Sequence, residues 1–270
     1  MKIATFNING VKARIEPLSD WLQEAAPDVA VLQEIKSTDD TFPRSHFEDM
    51  GWQVETHGQK GFNGVAILSK RPLEDITRGL PGDDGDEQAR WIEASVMGDR
   101  GAVRICGLYL PNGNPVELCA DGAPVPGGKY DYKLRWMARL KAHAAMLLQA
   151  EEPVVLAGDY NIIPQAEDAA RPDAWREDAL FRRESRYAYR EILHLGYTDA
   201  LRARHPDLAG AFTFWDYQRG AFQRNDGIRI DHLLLSPQAA DRLQDCQIDS
   251  FARAREKPSD HVPVWITLDI

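Results

Sequence analysis

The amino-acid sequence predicts a mixed α/β sandwich in which residues 1–270 form one domain. Short apolar runs that end in polar residues recur along the chain and indicate strands. Segments with apolar residues at helical spacing lie between some of these runs. The predicted strands and helices do not alternate in the strict order of a parallel βαβ protein, which favours a mixed sandwich.

Eight segments have the pattern of a strand, and the last of them shows it most clearly. Val264, Ile266 and Leu268 fall on one face of this segment, whereas Trp265 and Thr267 fall on the other. That two-residue period is typical of a strand with one buried face. The predicted strands are residues 2–8, 28–34, 64–69, 91–96, 103–110, 154–157, 230–236 and 262–268.

At least two segments have the spacing of amphipathic helices. Residues 81–85 and 111–128 are rich in glycine and proline and predict surface loops, which often carry function in compact domains. We find no internal repeat, low-complexity tract or domain linker. The residues that mark the two helices are Leu18, Trp21, Leu22 and Ala25 in the first and Trp136, Leu140, His143 and Leu147 in the second.

The composition is that of a globular protein, with 43% hydrophobic and 27% charged residues. The chain reaches polar Asn7 before an apolar stretch of about 7–15 residues can form, which argues against a secretory signal. No run approaches the ~18 apolar residues of a membrane span. Cys106, Cys119 and Cys246 are scattered without metal-ligand spacing, as expected for free thiols in a reducing compartment. We therefore expect a cytoplasmic protein that does not insert into a membrane.

The net charge of −10 weighs mildly against a partner made of nucleic acid, since phosphate binding needs a basic surface. Net charge does not describe how charge is distributed, however, and carboxylates gathered around a cation add negative charge that the cation neutralises. Five arginines between residues 176 and 190 form either a solvated helix face or a DNA contact. They are Arg176, Arg182, Arg183, Arg186 and Arg190.

Polar residues suited to chemistry occur at the ends of the predicted strands. Convergent polar groups at strand ends commonly form a site. In chain order these residues are Asn7, Asn9, Glu34, Tyr109, Asp159, Asn161, Asp231, Asp260 and His261.

Six blocks of sequence hold most of these polar residues. They are TFNING (5–10), LQEIK (32–36), GVAIL (64–68), GDYN (158–161), RID (229–231) and PSDHVPV (258–264). In this order, from one end of the chain to the other, the blocks resemble the exonuclease III family of abasic-site endonucleases. One such block would be weak evidence, but six in order are strong evidence.

The resemblance implies a four-layer α/β sandwich of two packed mixed β-sheets flanked by helices, as in deoxyribonuclease I and the wider endonuclease/exonuclease/phosphatase superfamily. It implies a phosphodiester hydrolase with Mg²⁺ as cofactor and Mn²⁺ as the alternative. The implied substrate is double-stranded DNA with abasic sites or blocked 3′ ends. Such an enzyme cuts 5′ to the abasic site and trims 3′ ends as an exonuclease. A monomer is our default expectation.

The predicted metal site follows from the chemistry of an anionic phosphodiester. Its hydrolysis needs a cation near the non-bridging oxygens and an activated water in line. Mg²⁺ prefers oxygen ligands and keeps several of its waters. Glu34 is the first choice of ligand, with Asn7 and Asp260 around it. A lone Gln-Glu dipeptide is also typical of a solvent-exposed strand end, so the choice of Glu34 depends on the other blocks.

The resemblance assigns Asp159 to the attacking water, and Asn161 could hold that water or the phosphate. The GDYN block alone would fit a turn equally well. Tyr109 offers a phenolic O–H to the phosphate or the leaving oxygen, although a core tyrosine is the plainer interpretation. His261 could contact the phosphate in its charged form, oriented by Asp231. The resemblance also places Asp159, Asn161 and His261 beside the metal.

A pocket for substrate recognition is predicted around Asp231. In the family, the stretches at residues 212–216 and 227–231 wall the pocket that accepts a flipped abasic sugar. Its walls here would be Phe214, Ile228 and Ile230, and the resemblance adds Asn112 to the substrate contacts. Some relatives carry Trp at the position of Ile228. These apolar residues would also suit an ordinary core.

Two other functions share parts of this pattern. Phosphoinositide phosphatases, sphingomyelinases and deoxyribonuclease I relatives have a similar set of Asn, Glu, Asp and His residues, and fold does not settle function. The RID block, the Phe-Trp segment and the pair Lys133 and Trp136 favour the repair branch. A non-catalytic RNA-binding regulator would lack several of four residues, all of which are present: Glu34, Asp159, Asn161 and Asp231.

Overall fold

A computed structural model describes residues 1–270 and contains two six-stranded β-sheets. The strands are β1 (Lys2–Asn7), β2 (Val29–Gln33), β3 (Gln53–His57), β4 (Val65–Ser69), β5 (Leu73–Arg78), β6 (Trp91–Met97), β7 (Ala102–Tyr109), β8 (Val154–Asp159), β9 (Thr198–Asp199), β10 (Asp231–Leu235), β11 (Leu243–Ile248) and β12 (Val264–Leu268). The first sheet has the order β11-β12-β1-β2-β4-β3, and the second has β5-β6-β7-β8-β10-β9. Each sheet has one parallel pair, β1 with β2 and β7 with β8, and its other pairs are antiparallel.

Helices cover the outer face of each sheet. Those of the first half of the chain lie against the first sheet, and the long helix after β7 packs against the second. The helices are α1 (Ile15–Ala25), α2 (Arg44–Asp49), α3 (Lys129–Leu148), α4 (Arg183–His194), α5 (Ala200–Arg204) and α6 (Pro237–Ala240). None of them is long and apolar enough to cross a membrane.

Three apolar cores hold these layers together. The core between the sheets is built from strand residues such as Ile3, Val31 and Ile105. Trp21 of α1 belongs to the core on the outer side of the first sheet, and Trp136 of α3 to the core on the outer side of the second. Because each strand face buries side chains, both sheets are covered on both sides. The four-layer α/β sandwich predicted from the resemblance is confirmed.

All eight predicted strands are present, with ends within two residues of the prediction. The four strands that the pattern missed, β3, β5, β9 and β11, are the outermost strands of the two sheets. Edge strands are short or polar because one side of their backbone faces solvent, so their apolar pattern is weak. β5, for example, has the sequence LEDITR, and none of its residues is buried.

The topology brings the ends of several strands to one end of the sandwich. β1 and β2 are parallel, as are β7 and β8, so the carboxyl ends of each pair meet. Asp159, the last residue of β8, pairs in register with Tyr109 on β7 and with Asp231, the first residue of the antiparallel β10. Three candidate side chains that are far apart in sequence therefore lie on adjacent strands.

Candidate active site

Four of the predicted site residues form one connected cluster between the two sheets. Asn7 Nδ2 donates to Glu34 Oε1 at 3.0 Å and to Asp159 Oδ2 at 2.9 Å. His261 Nε2 lies 3.7 Å from Asp159 Oδ2. The nearest ligand atoms of Glu34, Asp159 and His261 all fall within 4.8 Å of one another, a grouping that could hold a metal ion. Asn7 presents its amide N–H groups to the two carboxylates, which orients them.

Glu34 is the acid of this cluster that is best prepared to stay ionised. Burial acts to raise its pKa, but hydrogen bonds from Asn7 and Lys36 outweigh burial and hold the pKa of Glu34 below its ordinary value. Lys36 Nζ lies 2.9 Å from Glu34 Oε2. Glu34 therefore offers an anionic oxygen, the kind of ligand that hard divalent cations prefer.

Asp260 lies on the far side of this cluster. Asn9 Nδ2 donates to Asp260 Oδ1 at 3.0 Å, and the backbone N–H of Asn9 donates to Asn7 Oδ1 at 3.0 Å. Asp260 is half-buried and is not part of the close grouping of Glu34, Asp159 and His261. Through Asn9 and Asn7, however, it is joined to that grouping by hydrogen bonds.

Asp159 is 1% exposed at the end of β8. Its Oδ1 accepts the backbone N–H of Asn161 at 2.8 Å, which holds the following turn against it. Burial raises the pKa of Asp159 to about 7, and the charged His261 acts in the opposite direction. A carboxyl group with a pKa near the operating pH is suited to accept a proton from water.

His261 and Asp231 form the buried pair predicted from the sequence. His261 Nδ1 lies 2.9 Å from Asp231 Oδ2, and both residues are less than 5% exposed. Burial disfavours charge on the ring, but attraction to Asp231 and Asp159 outweighs it and raises the pKa of His261 to about 10. The ring therefore carries a positive charge at neutral pH, with Nε2–H directed toward the cluster.

Tyr109 is held at the edge of the cluster by Arg90. The guanidinium of Arg90 lies 4.9 Å from the centre of the Tyr109 ring and donates to the Tyr109 backbone carbonyl at 3.2 Å. Burial, with the nearby charges of Glu34 and Asp159, raises the pKa of Tyr109 well above its ordinary value. The phenol thus remains a proton donor at any physiological pH.

Asn161 and Asn112 lie side by side in the loops after β8 and β7. Asn112 Nδ2 donates to Asn161 Oδ1 at 3.1 Å, and Asn161 Nδ2 donates to the carbonyl of Leu110 at 2.9 Å. Asn161 is 5% exposed, whereas Asn112 is exposed. Both side-chain atoms of Asn161 thus have protein partners, while Asn112 stands at the surface, where a phosphate can reach it.

Phe214, Ile228 and Ile230 belong to one apolar cluster beside His261. The ring centres of Phe214 and His261 are 5.0 Å apart. A cavity of about 210 Å³ is lined by Phe214 and Ile228 together with mostly polar residues, among them three arginines, but not by His261 or by Ile230, which is 2% exposed. Two of the three predicted wall residues therefore line this cavity, and Ile230 packs behind them.

Comparison with known proteins matches residues 4–261 to the family described as Endonuclease/Exonuclease/phosphatase. The chain belongs to this family.

Relatives in this family support the resemblance to exonuclease III. The chain is 35% identical to exodeoxyribonuclease III of Haemophilus influenzae, with 98% of each sequence covered. It is 29% identical to the DNA repair nuclease APEX1 of Danio rerio, covering all of this chain and 83% of that protein. The structure of the 3′-5′ exonuclease NExo from Neisseria meningitidis matches the whole of both chains with a TM-score of 0.92 and 38% identity. An AP endonuclease from Archaeoglobus fulgidus matches with a TM-score of 0.90 and 36% identity. The protein is a DNA-repair nuclease of this family.

Several residues that shape the family site were not predicted from the sequence. Thr213 Oγ1 accepts the backbone N–H groups of Ile230 and Asp231, which fixes the start of β10. Ser259 Oγ donates to the backbone carbonyl of Asn7 at 2.7 Å and ties the segment before His261 to β1. These contacts join residues that are far apart in the chain. Only Ser259 lies within one of the six blocks, so position in a motif could have indicated it.

The arginines between residues 176 and 190 do not act as one surface. Arg176 pairs with Asp173 and Arg182 with Glu177, whereas Arg186 stacks at 4.3 Å from the centre of the Phe181 ring. Part of the basic charge that could have served DNA is therefore neutralised locally.

Proposed function

We propose that the protein hydrolyses the phosphodiester 5′ to abasic sites in double-stranded DNA and trims 3′ ends, with Mg²⁺ as cofactor and Mn²⁺ as the alternative. One observation carries the proposal: Asp231, His261, Asp159, Asn7 and Glu34 form a continuous line of contacts at one end of the sandwich. That line supplies a proton acceptor, a cationic donor and an anionic metal ligand next to one another.

The residues present fit a divalent oxygen-seeking ion. Glu34 is ionised and only partly buried. Asn7 donates a hydrogen bond to Glu34, and Asn9 links Asn7 to Asp260. We propose that Glu34 holds the ion, with Asn7 and Asp260 around it. A bound ion would draw charge from the phosphate oxygens and from the attacking water.

Asp159 is proposed to accept the proton of the attacking water. Its buried carboxylate accepts hydrogen bonds from the side chain of Asn7 and from the backbone N–H of Asn161. The carboxylate is therefore already oriented, and little further conformational entropy is lost during the reaction. General bases act best when their pKa lies near the operating pH, and the pKa of Asp159 is raised to about 7.

His261 and Tyr109 are proposed to bind the phosphate. The cationic His261 donates from Nε2, and Asp231 holds the ring through Nδ1. Because the ring is protonated, His261 suits the phosphate better than it suits a metal ion, which needs a neutral ring nitrogen. Tyr109 offers a neutral O–H to the phosphate or to the departing 3′-oxygen.

The two asparagines complete the phosphate site. The buried Asn161 is proposed to orient the phosphate or the attacking water, and the exposed Asn112 is proposed to contact a phosphate at the protein surface. Since both atoms of the Asn161 amide already have protein partners, a direct bond to the metal would require these contacts to break. We therefore favour the phosphate role for Asn161 over that of a ligand.

The cavity lined by Phe214, whose ring lies 5.0 Å from that of His261, is proposed to receive the flipped abasic sugar. Its volume of about 210 Å³ is below the roughly 300–1,000 Å³ of ordinary ligand sites, which favours a sugar that has lost its base. Phe214 and Ile228 would be its walls, with Ile230 supporting them. Extrusion from the duplex is also easiest where no base is stacked or paired.

We further propose a cytoplasmic monomer that folds as one domain over residues 1–270. Cys106, Cys119 and Cys246 are all free thiols, and two of them are buried, as expected in a reducing compartment. The core between the sheets draws on both halves of the chain, which supports a single folding unit.

The experiment is a comparison of kcat/KM on three labelled duplexes. One carries an abasic analogue, one a 3′-phosphate end and one no damage. The proposal predicts the highest value for the abasic duplex, with cleavage on its 5′ side. A higher kcat/KM for the 3′-phosphate end, with little incision at the abasic site, would make the protein a 3′-end trimming enzyme, the class to which a Neisseria structural neighbour described as a 3′ phosphatase belongs.

A further inference from the structure

The amino group of Lys133 is fully buried beneath the site. Lys133 lies in the second turn of α3, and its side chain is 0% exposed. Nζ donates to the backbone carbonyl of Asn161 at 2.6 Å and to that of Asn112 at 3.0 Å. A single side chain on a helix therefore joins two loops that come from neighbouring strands of the second sheet.

Both loops present side chains that the proposed function uses. Asn112 Nδ2 donates to Asn161 Oδ1, so the loops are joined at the surface as well as from below. Asn161 has a φ of 48°, a left-handed backbone conformation that costs free energy in a residue with a side chain. Its carbonyl needs a strong partner to hold that conformation, and the ammonium of Lys133 supplies one.

The neighbouring glycine shows how closely the first loop packs on this lysine. Gly113 has a φ of 90°, and a Cβ at this position would lie 2.7 Å from Lys133 Cδ and 3.0 Å from Ala179 Cβ. Any other residue at position 113 would push the loop away from the lysine stem. The loop, the lysine and the segment at Ala179 thus form one packed unit.

A buried ammonium whose bonding partners are neutral carbonyls is a costly way to stabilise a fold. Removing such a charge from water costs several kcal/mol, and an apolar residue of similar shape is often the more stable choice. The same desolvation lowers the pKa of Lys133 to about 7, although the nearby charges of Asp178 and Asp159 act in the opposite direction. Trp136 and Leu140, further along α3, already supply apolar contacts to the second sheet. Stability alone therefore gives little reason for a lysine here.

We propose that Lys133 is a positioning residue for phosphodiester hydrolysis: it clamps the Asn112 and Asn161 backbones so that both side chains meet the phosphate together. The inference rests on the proposed phosphate roles of Asn112 and Asn161. Lys133 itself does not touch the substrate, because Nζ lies on the inner side of both loops. A shift of about 1 Å in such groups can lower a rate about 10²-fold.

The test replaces Lys133 by Met, which keeps the length of the stem and removes the charge and the donors. The substrate is whichever phosphodiester the wild type cleaves fastest, so loss of the abasic preference would overturn the proposed function and leave this test intact. We expect kcat to fall roughly 10- to 100-fold. KM should change by less than about threefold, and the melting temperature should stay equal or rise.

Two further variants make the result specific. Lys141→Met, two turns along the same helix, removes a lysine that pairs with Glu191 at 2.8 Å on the outer side, and it should keep the wild-type kcat. In an Asn112→Ala background, Lys133→Met should cost at least about threefold less than in the wild type, because residues acting as a unit give non-additive losses.

A folded Lys133→Met variant with wild-type kcat would overturn the proposal, as would losses that simply multiply with Asn112→Ala. If Lys133→Met unfolds, Lys133→Gln takes its place, since it keeps an N–H donor without the charge. A folded Gln variant with reduced kcat and unchanged KM supports the clamp. Unfolding of both variants would make Lys133 a structural residue and would also overturn the proposal.

Discussion

The pairing of Asp231 with His261 predicts a specific kinetic defect for Asp231→Asn. The Asn side chain keeps the shape and can still accept from Nδ1–H, but it removes the negative charge 2.9 Å from the ring. His261 would then remain buried with Asp159 as its main source of charge stabilisation. We expect the pKa of His261 to fall in this variant, so that the charged ring and its contact with the phosphate are less stable.

The size of the effect follows from the pKa of His261. A pKa of about 10, compared with 6.5 for an unperturbed ring, corresponds to about 5 kcal/mol of preference for the charged form, because one pKa unit is about 1.4 kcal/mol. Asp231 is the largest attractive cause of that preference. If Asp231 supplies about half of that preference, the charged ring and its contact with the phosphate lose roughly 2–3 kcal/mol of stabilisation, which corresponds to a loss in kcat/KM of roughly 10²-fold.

The assay is single-turnover cleavage of a labelled duplex by wild type, Asp231→Asn, His261→Ala and the double variant. The cleavage rate of each single variant should be roughly 10²-fold below that of the wild type. The rate of the double variant should be within about threefold of that of the slower single variant. Asp249→Asn is the matched control, since Asp249 accepts the indole N–H groups of Trp21 and Trp265 away from the site. Losses that multiply in the double variant would refute the coupling.

Three further outcomes are expected. Asp159→Asn removes the proton acceptor, so the variant should fold and bind DNA but cleave it at least ~10²-fold more slowly. Single-turnover kinetics and a binding titration measure the two properties, and near-wild-type turnover would assign the base to another residue. Phe214→Ala should widen the cavity that Phe214 and Ile228 line and so lower the ratio of the cleavage rate on the abasic duplex to that on the intact duplex. An unchanged ratio would place Phe214 in the core. Burial and the charge of Arg229 lower the pKa of His232 to about 4. Because the folded protein favours the neutral ring, the free energy of unfolding should fall as the pH drops from about 6.5 toward 4, by about 3 kcal/mol at most. Urea unfolding measures this change. His232→Gln should flatten that pH dependence and exposed His194→Gln should not; equal slopes in all three proteins would contradict the assignment.

The central strands could be predicted from sequence because they are buried on both faces and read as apolar runs. β3, β5 and β11 could not, since each is an edge strand with polar residues that face solvent, and β9 could not because it has only two residues. α4 was predicted only as one of two interpretations of an arginine-rich segment, a solvated helix face, because arginines and glutamates occupy much of its surface. The sequence thus predicts the helices and strands whose side chains are mostly buried.

The candidate site was predictable as a set of residues but not as a geometry. The motifs gave Glu34, Asp159 and His261, and the structure brings their ligand atoms within 4.8 Å. The register that places Asp231 opposite Asp159 depends on β10 pairing antiparallel with β8, which no local pattern shows. The direction of the Asn7 amide, donating to both carboxylates, likewise depends on partners 27 and 152 residues away.

Cavity size alone would have misplaced the site. A groove of about 780 Å³ lies between α3 and α4 and is lined by apolar residues such as Met137, Ala142 and Tyr187. It holds none of the polar residues that converge at the strand ends. Convergent titratable groups with shifted pKa values were the better guide to the chemistry.

The central claim is that Glu34 and its neighbours use a divalent cation to hydrolyse a phosphodiester in DNA. The most direct measurement is cleavage of an abasic duplex by metal-free protein, titrated with Mg²⁺, for wild type and Glu34→Gln. We expect no cleavage in excess EDTA, recovery with Mg²⁺ or Mn²⁺, and at least about a tenfold higher Mg²⁺ requirement in the variant, since a neutral amide is a weaker ligand than a carboxylate. Full cleavage in excess EDTA, or identical Mg²⁺ dependence in the two proteins, would contradict it.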